Sequence, residues 1–365
     1  MDARERFART MAHKEPDRVP IDYWATSEIN ARLLKRFGLA SQEELLQHFD
    51  VDFRYIEGPR YIGPAPAVHA DGSVEDVWGV PRVQVDVGAG EQAGAYREVL
   101  HPPLEHAETT EAIRDYPKWP SPDWFDYDCV RDQVAEVRRT GKVVIFVGDR
   151  MNRCAQLKPA MYLRGVAQIL EDLVLNPEIA EYLFGRISEF YLEYARRTFE
   201  AAGDGLDVFM TGDDFGTQNG LFMSPVMWRE FLRPGFEALV ALGKARGYTV
   251  MHHSCGSIKP IIPDMIECGL DILNPVQPGV ASMDRAELKR LFGDRLCFHG
   301  SISIQQTLPF GTPDDIRREV KERFDTLASG GGFIFCTAHN IQVDTPLENV
   351  EALFDAYHRF GRYNA

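Results

Sequence analysis

The sequence predicts a (β/α)8 barrel, in which parallel strands alternate with helices around one closed core. Short runs rich in β-branched and aromatic residues recur along the chain, and a helical pattern follows each run. No glycine-rich dinucleotide-binding turn follows any of these runs, which disfavours an open doubly wound sheet. We therefore expect a single barrel domain over residues 1–365.

Eight runs of the sequence are predicted to be strands: 18–23, 51–56, 143–147, 205–210, 248–252, 270–274, 296–299 and 332–336. The predicted helices are 3–13, 27–37, 41–49, 127–140, 162–201 with a break near Asn176-Pro177, 224–246, 257–267, 284–292, 312–328 and 346–361. Proline at the first helical position marks several helix starts, as in Ser224-Pro225 and Thr312-Pro313. The segment 58–104 is rich in Gly and Pro and has alternating valines, so it predicts an antiparallel hairpin insertion after the N-terminal helical segment.

Composition narrows the class of protein. The 365 residues include 40 basic and 55 acidic side chains, for a formal net charge of −15, which disfavours binding to nucleic acid or to an anionic membrane. No apolar run approaches the roughly 20 residues that a transmembrane helix needs, and no secretory signal is expected. The 6 cysteines are scattered, which is typical of a reducing compartment. We expect a cytoplasmic enzyme.

Polar and titratable side chains follow nearly every predicted strand. In a (β/α)8 barrel the C-terminal ends of the strands carry the chemistry. The residues at these ends are Asp22, Tyr23, Glu57, Asp149, Arg150, Asp213, Asp214, His252, His253, Cys255, Asn274, Gln277, His299, Cys336, His339 and Asn340. Strand ends are commonly polar because they emerge into solvent, but a set this rich in His, Cys and Asp favours an active site.

The motif HHSC predicts part of a zinc site. His253 and Cys255 lie two residues apart, so in an extended chain their side chains point to the same side. An imidazole and a thiolate are natural zinc ligands, and a catalytic zinc needs one or two more. Cys336, on the last strand, and His339, on the loop after it, are candidates for the third ligand. The alternative for Cys336 is a small buried hydrophobic residue.

A second motif, GDDFGTQNG, places paired acids directly after a strand. Asp213 and Asp214 suit a general base, a hydrogen-bond acceptor or a metal ligand, although aspartates in such loops also cap the next turn. His299 is a candidate acid, base or ligand, or else a hydrogen-bonded structural histidine. The expected substrate contacts are Tyr23, Gln218, Asn274, Gln277 and Asn340.

Several blocks in fixed order make this sequence resemble the uroporphyrinogen decarboxylase superfamily, which has a (β/α)8 barrel. They are ERFARTMAHKEPDRVPI, GDDFGTQNGLFMSPVMWREFLRP, HHSCGSIKPIIPDMIECGLDILNPVQP, HGSISIQQTLPFGTPDDI and FCTAHNIQVDTPLENV. Family members that decarboxylate uroporphyrinogen carry an Arg-rich MRQAGRY block, where this chain has IDYWATSEINARLLKRF. A polycarboxylate substrate needs clustered arginines. We therefore do not expect this chain to act on uroporphyrinogen.

The chain looks more similar to another branch, the corrinoid methyltransferases and O-demethylases. The mark of that branch is a zinc site of His-x-Cys with a second Cys far downstream, and His253 and Cys255 match the first part. When the TPLEN segments are superposed, the family's downstream Cys falls on His339, and Cys336 lies three residues earlier. The resemblance therefore implies zinc on His253, Cys255 and either Cys336 or His339.

The same resemblance implies methyl transfer between a small methylated substrate and cobalamin. This chain has no corrinoid-binding Asp-x-His-x-x-Gly block, so the cobalamin is expected on a partner corrinoid protein. Asp213, Asp214 and Gln218 would orient the substrate, and His299 or His339 would move a proton. The alternatives are a metal-dependent lyase or decarboxylase of a small acid on the same barrel, and a non-catalytic ligand-binding barrel. The sequence does not decide whether the protein is a monomer or a homodimer.

Overall fold

The computed structural model describes residues 1–88, 94–147 and 154–363, and a parallel sheet of seven strands runs through its centre. The strands lie side by side in chain order and are labelled β1 to β7: Phe53–Ile56, Val143–Phe146, Val208–Gly212, Thr249–His253, Ile272–Asn274, Cys297–His299 and Phe333–Ile334. Every neighbouring pair is parallel. This is a TIM-barrel-like α/β fold, as the alternation of strands and helices predicts.

The predicted strand 18–23 is not a regular strand in the structure. Ile21 forms an isolated parallel bridge with Phe335, and the N–H of Asp52 donates to the carbonyl oxygen of Ile21 at 2.9 Å. The segment therefore contacts both ends of the sheet, next to β7 and next to β1. Pro20 has no N–H to donate, and the N–H of Ile21 donates to the Asp52 side chain at 2.9 Å, so a continuous ladder cannot form.

Helices pack around the sheet. The main ones are Ala3–Met11, Ser27–Phe37, Gln42–His48, Thr110–Arg114, Asp128–Arg139, Leu157–Arg164, Val166–Leu175, Pro177–Ala202, Arg233–Ala245, Ile262–Glu267, Arg285–Phe292, Thr307–Phe310, Pro313–Arg323 and Leu347–Phe360. The long helical pattern at 162–201 breaks at Asn176, as predicted, because Pro177 begins a new helix. Among the described helices, none combines the length and apolar character that crossing a membrane requires.

The N-terminal helix Ala3–Met11 packs against the inside of the sheet. It begins with a capping box between Asp2 and Glu5. Its buried Phe7 meets Phe53, the first residue of β1, edge-on at 5.7 Å between ring centroids. The helix therefore lies at the end where the strands begin, which leaves the opposite end for the site.

The region 58–104 contains short antiparallel strands. Val74–Glu75, Pro81–Val87 and Gly94–Val99 form a three-stranded sheet of their own. Arg60–Tyr61 pairs instead with Phe125–Asp126, just before the helix Asp128–Arg139.

Candidate active site

The loops after β3 and β4 meet through two glycines. Gly256 has a φ of +87°, and a Cβ added there would lie 2.4 Å from the backbone of Gly216, so no larger residue fits without displacement. The N–H of Ser257 donates to the carbonyl oxygen of Thr217 at 2.8 Å across the same contact. This approach brings Asp214, two residues before Gly216, next to Cys255, which directly precedes Gly256.

Three ligand-type side chains converge at this point, and we call Asp214, His253 and Cys255 the open cluster. Their ligand atoms all lie within 4.8 Å of one another. Cys255 Sγ is 3.4 Å from His253 Nε2, and His253 Nε2 is 3.6 Å from an Asp214 carboxylate oxygen. One nitrogen, one sulfur and one oxygen are a donor set that zinc accepts in proteins, and three protein ligands leave a position open for catalysis. The residues present therefore fit a catalytic zinc.

A cavity of about 420 Å³ adjoins the open cluster. Cys255 and His339 line it, together with the side chains of Gln218, Gln277, Gln305 and Ser303. Phe222 and Ile304 supply apolar surface. Among the lining residues that the structure describes, none is an arginine or a lysine, so the walls offer amide and hydroxyl groups rather than countercharges for a polycarboxylate.

Asp214 is held as a carboxylate beside Cys255, which lines this cavity. The Lys158 ammonium donates to one carboxylate oxygen at 2.7 Å, and the backbone N–H of Cys255 donates to the other at 3.0 Å. Burial alone would raise the pKa of Asp214, but His253, Lys158 and the amide of Cys255 together lower it below its usual range. An anionic oxygen therefore faces His253 and Cys255, which suits a cation between them.

The neighbouring acid, Asp213, has a different environment. Its carboxylate is 3% exposed and accepts hydrogen bonds from the backbone N–H groups of Gln156, Leu157 and Lys158 at 2.6–2.8 Å. These groups belong to the start of the helix Leu157–Arg164, so Asp213 satisfies its orphan donors. Burial raises the pKa of Asp213 to about 6 despite these bonds. Asp213 thus caps a helix that precedes it in the chain rather than the next turn of its own loop, whereas Asp214 lies among the ligand-type side chains of the open cluster.

Behind the open cluster lies a second set of similar residues, Asp22, His299 and Cys336, which we call the sealed cluster. Its ligand atoms also lie within 4.8 Å of one another, but each residue is at most 2% exposed. Asp22 accepts hydrogen bonds from His299 Nε2 at 2.9 Å, from the Tyr55 hydroxyl at 2.5 Å and from Trp24 Nε1 at 3.2 Å. Burial, and then the nearby charge of Asp22, raise the pKa of the Cys336 thiol well above its ordinary value.

The structure thus divides the residues predicted for the site into groups. Asp214, His253 and Cys255 form the open cluster, and Gln218, Gln277 and His339 line the cavity. The His339 ring lies 5.7 Å from the His253 ring, measured between centroids. Cys336 lies with Asp22 and His299 rather than in the open cluster, where the side chain beside His253 and Cys255 is the carboxylate of Asp214.

Three further predicted residues that the structure describes, Tyr23, Asn274 and Asn340, are not part of the cavity wall. Asn274 is fully buried between His253 and His299. Tyr23 packs between aromatic rings, and its hydroxyl donates to Asn30 at 2.6 Å. The carbonyl oxygen of Asn340 accepts a hydrogen bond from Gln342 at 2.9 Å. Asp149 and Arg150 lie outside the described residues.

Two residues near the open cluster and the cavity were not predicted as site residues. Lys158, on the helix after β2, reaches Asp214 from a stretch with no motif, and nothing in the sequence signals it. Gln305 belongs to the strand-following segment HGSISIQQ, where the polar run gives a usable signal, and it contacts Gln277 at 3.4 Å.

Residues 130–360 match the profile of the uroporphyrinogen decarboxylase (URO-D) family, which is more than half of the chain. The chain belongs to this family. It is 33% identical over 194 residues to the methylcobamide:CoM methyltransferase MtaA of Methanosarcina barkeri, which is 53% of each chain. It is 26% identical over 185 residues to the uroporphyrinogen decarboxylase of Chlorobaculum tepidum, which is 49% of each chain. The matched region spans about half the length of these relatives.

A solved structure supports the fold over the whole chain. The structure of a methyltransferase from Methanosarcina mazei superposes with a TM-score of 0.64 over 99% of both chains, at 19% sequence identity. At this identity the likeness establishes the TIM-barrel-like architecture. Family membership and fold therefore agree with the resemblance drawn from the sequence blocks.

Proposed function

We propose that this protein is a zinc-dependent methyltransferase that exchanges a methyl group between a small methylated substrate and a cobalamin carried by a corrinoid partner protein. The observation that carries the proposal is the open cluster, in which His253, Cys255 and Asp214 converge beside a cavity of about 420 Å³. The similarity to a methylcobamide:CoM methyltransferase supports the same class of reaction.

His253 Nε2, Cys255 Sγ and an Asp214 oxygen are the groups that would hold the metal. Bound zinc acts as a Lewis acid and stabilises negative charge on the heteroatom that loses or receives the methyl group. Lys158 keeps Asp214 in place through its 2.7 Å contact. His253 and Cys255 lie on or just after β4, and a rigid strand end fixes their relative position.

The cavity walls would bind and orient the substrate. Gln218 and Gln305 offer both donors and acceptors, and Phe222 and Ile304 exclude water from the methyl group. Gln277 accepts from the N–H of Gly256 at 2.7 Å, so it also fixes the loop that carries Cys255. His339 lines the same cavity and would give or take the proton of the substrate heteroatom. A small substrate of low charge suits these walls best.

Metal analysis and a methyl-transfer assay test this proposal. Protein purified without chelator is expected to carry near-stoichiometric zinc and to move a methyl group between free methylcobalamin and a small thiol such as 2-mercaptoethanol. Cys255→Ala should lose both properties. Cys129→Ala is the matched control, because Cys129 is similarly half-exposed but lies on the helix Asp128–Arg139 and contacts Gly58.

Two outcomes would contradict the proposal. The first is a wild-type protein that holds no zinc after supplementation. The second is release of CO₂ from a small carboxylic acid or from uroporphyrinogen with no methyl transfer, which would favour a decarboxylase of the same family.

A further inference from the structure

A continuous chain of buried hydrogen bonds joins the sealed cluster to the open cluster. Asp22 contacts His299 Nε2 at 2.9 Å, the side-chain amide of Asn274 contacts His299 Nδ1 at 2.6 Å, and the Asn274 oxygen contacts His253 Nδ1 at 2.5 Å. All four residues are at most 2% exposed. Solvent therefore does not compete for these bonds, and each polar group depends on its neighbour.

The donors and acceptors along the chain fix one arrangement of protons. For neutral imidazole rings, His299 donates from Nε2 to the Asp22 carboxylate, which only accepts, so His299 Nδ1 is an acceptor. Asn274 must then turn its NH₂ group toward His299 and its oxygen toward His253. His253 consequently carries its proton on Nδ1.

This tautomer leaves the lone pair of His253 Nε2 directed toward the open cluster. Nε2 is the atom that lies 3.4 Å from Cys255 Sγ and 3.6 Å from Asp214. In the other tautomer Nε2 would carry a proton and could not bind a metal. The Trp24 ring lies against both imidazoles, 5.9 Å from His253 and 5.6 Å from His299, and restricts their rotation.

We propose that Asp22, His299 and Asn274 are positioning residues that hold His253 in its Nδ1–H tautomer and present Nε2 to the open cluster. The consequence for metal affinity rests on the proposed function, whereas the tautomer is a property of the metal-free protein. The sealed cluster then serves as an anchor rather than as a second metal site. Asp22 already accepts from three side chains, and both nitrogens of His299 are in use.

Zinc affinity, measured by competition with a chromophoric chelator, tests the positioning role. Asn274→Leu removes both hydrogen bonds, and the affinity is expected to fall about 10- to 100-fold, the usual cost of losing a partner of a metal-binding histidine. Asn274→Asp still accepts from His253 Nδ1, so its affinity should stay within a few-fold of the wild type. This conservative variant separates the acceptor from the general packing of residue 274.

His299→Phe provides a second variant in case Asn274→Leu does not fold. Phenylalanine keeps the ring contact with Trp24 but frees the Asn274 amide, and we expect about a 10-fold loss of zinc affinity. His252→Gln is the control, because His252 is also buried on β4 but bonds Thr211 at 2.7 Å and packs on Phe215. It should lower the melting temperature without changing zinc affinity.

Nitrogen NMR of the metal-free protein, labelled at histidine and kept at mildly alkaline pH, reads the tautomer directly. The His253 signals, assigned by their loss in His253→Gln, should show a protonated Nδ1 in the wild type and a mixture of tautomers in Asn274→Leu. A protonated Nε2 in the wild type, or unchanged zinc affinity in a folded Asn274→Leu, would overturn the inference. A wild type with the expected tautomer but no zinc would overturn the proposed function alone.

Discussion

The open and the sealed cluster contain the same three residue types, one Asp, one His and one Cys, yet their surroundings differ. In the open cluster the His253 nitrogen lies 3.4–3.6 Å from its neighbours, and Cys255 borders a cavity. In the sealed cluster Asp22 accepts from three donors at 2.5–3.2 Å, and no member is more than 2% exposed. Residue type alone therefore does not decide which of the two clusters can take up a metal from solution. The two clusters differ in access, because only the open cluster borders a cavity among the described residues.

The largest expected contrast between the two clusters is in zinc content. Cys255→Ala should reduce bound zinc from near-stoichiometric to background, because it removes a ligand. Cys336→Ala should keep the zinc and lose only some stability, since it removes a buried sulfur that packs inside the barrel. Elemental analysis and urea unfolding of both variants measure this contrast. Loss of zinc in Cys336→Ala would show that the sealed cluster takes part in metal binding.

Thiol reactivity should separate the same two cysteines in the native protein. Cys255 is half-exposed and should be alkylated by iodoacetamide in the metal-free protein and protected by zinc. Cys336 is buried and its pKa is raised by burial, so it should react only in denaturant. Peptide mapping by mass spectrometry gives the rate at each cysteine. Equal alkylation rates at Cys255 and Cys336 under native conditions would contradict the predicted difference in their solvent access.

The adjacent acids should differ in their effect on stability. Asp213→Ala leaves three backbone N–H groups without their acceptor and should lower the free energy of unfolding by about 3 kcal/mol. Asp214→Ala removes a partly exposed ion pair with Lys158 and should cost no more than about 1 kcal/mol in the metal-free protein.

Urea unfolding of the two alanine variants tests this prediction. Asp213→Asn is the control, because it keeps one acceptor at the helix start and should recover part of the loss. Comparable losses for both alanine variants would mean that Asp214 also has a structural role.

The smallest expected effect on zinc affinity concerns the Tyr55 hydroxyl, which contacts the sealed cluster at Asp22. Tyr55→Phe removes the hydroxyl that donates to Asp22 at 2.5 Å and accepts from Trp24 at 2.7 Å. We expect a loss of about 1–2 kcal/mol in the free energy of unfolding. Zinc affinity should stay within about two-fold, because the bond from Asp22 to His299 remains. A large fall in zinc affinity would show that the Tyr55 hydroxyl itself is needed to orient His299.

The sequence by itself determined the class of fold and the core of the open cluster. The alternation of strands and helices predicted the TIM-barrel-like sheet. The spacing of apolar residues and the Pro and Gly residues at the ends of elements are local properties of the chain. The spacing of His253 and Cys255 also predicted that they share one side, since alternation along β4 is local. The strand 18–23 was overpredicted for two reasons: Pro20 has no N–H to donate, and the N–H of Ile21 bonds the Asp52 side chain, which is distant in sequence.

Only the tertiary structure decided which distant residues join which cluster. Asp214 enters the open cluster because Gly216 and Gly256 let two loops meet, and Asp213 turns instead to the start of the helix Leu157–Arg164, which is distant in sequence. Cys336 falls behind Asn274 rather than beside Cys255, although both cysteines lie at strand ends. A position at the end of a strand predicts on which side of the barrel a residue lies. How deeply that residue is buried, and which groups it bonds, depends on side chains from other strands, and no local pattern specifies those.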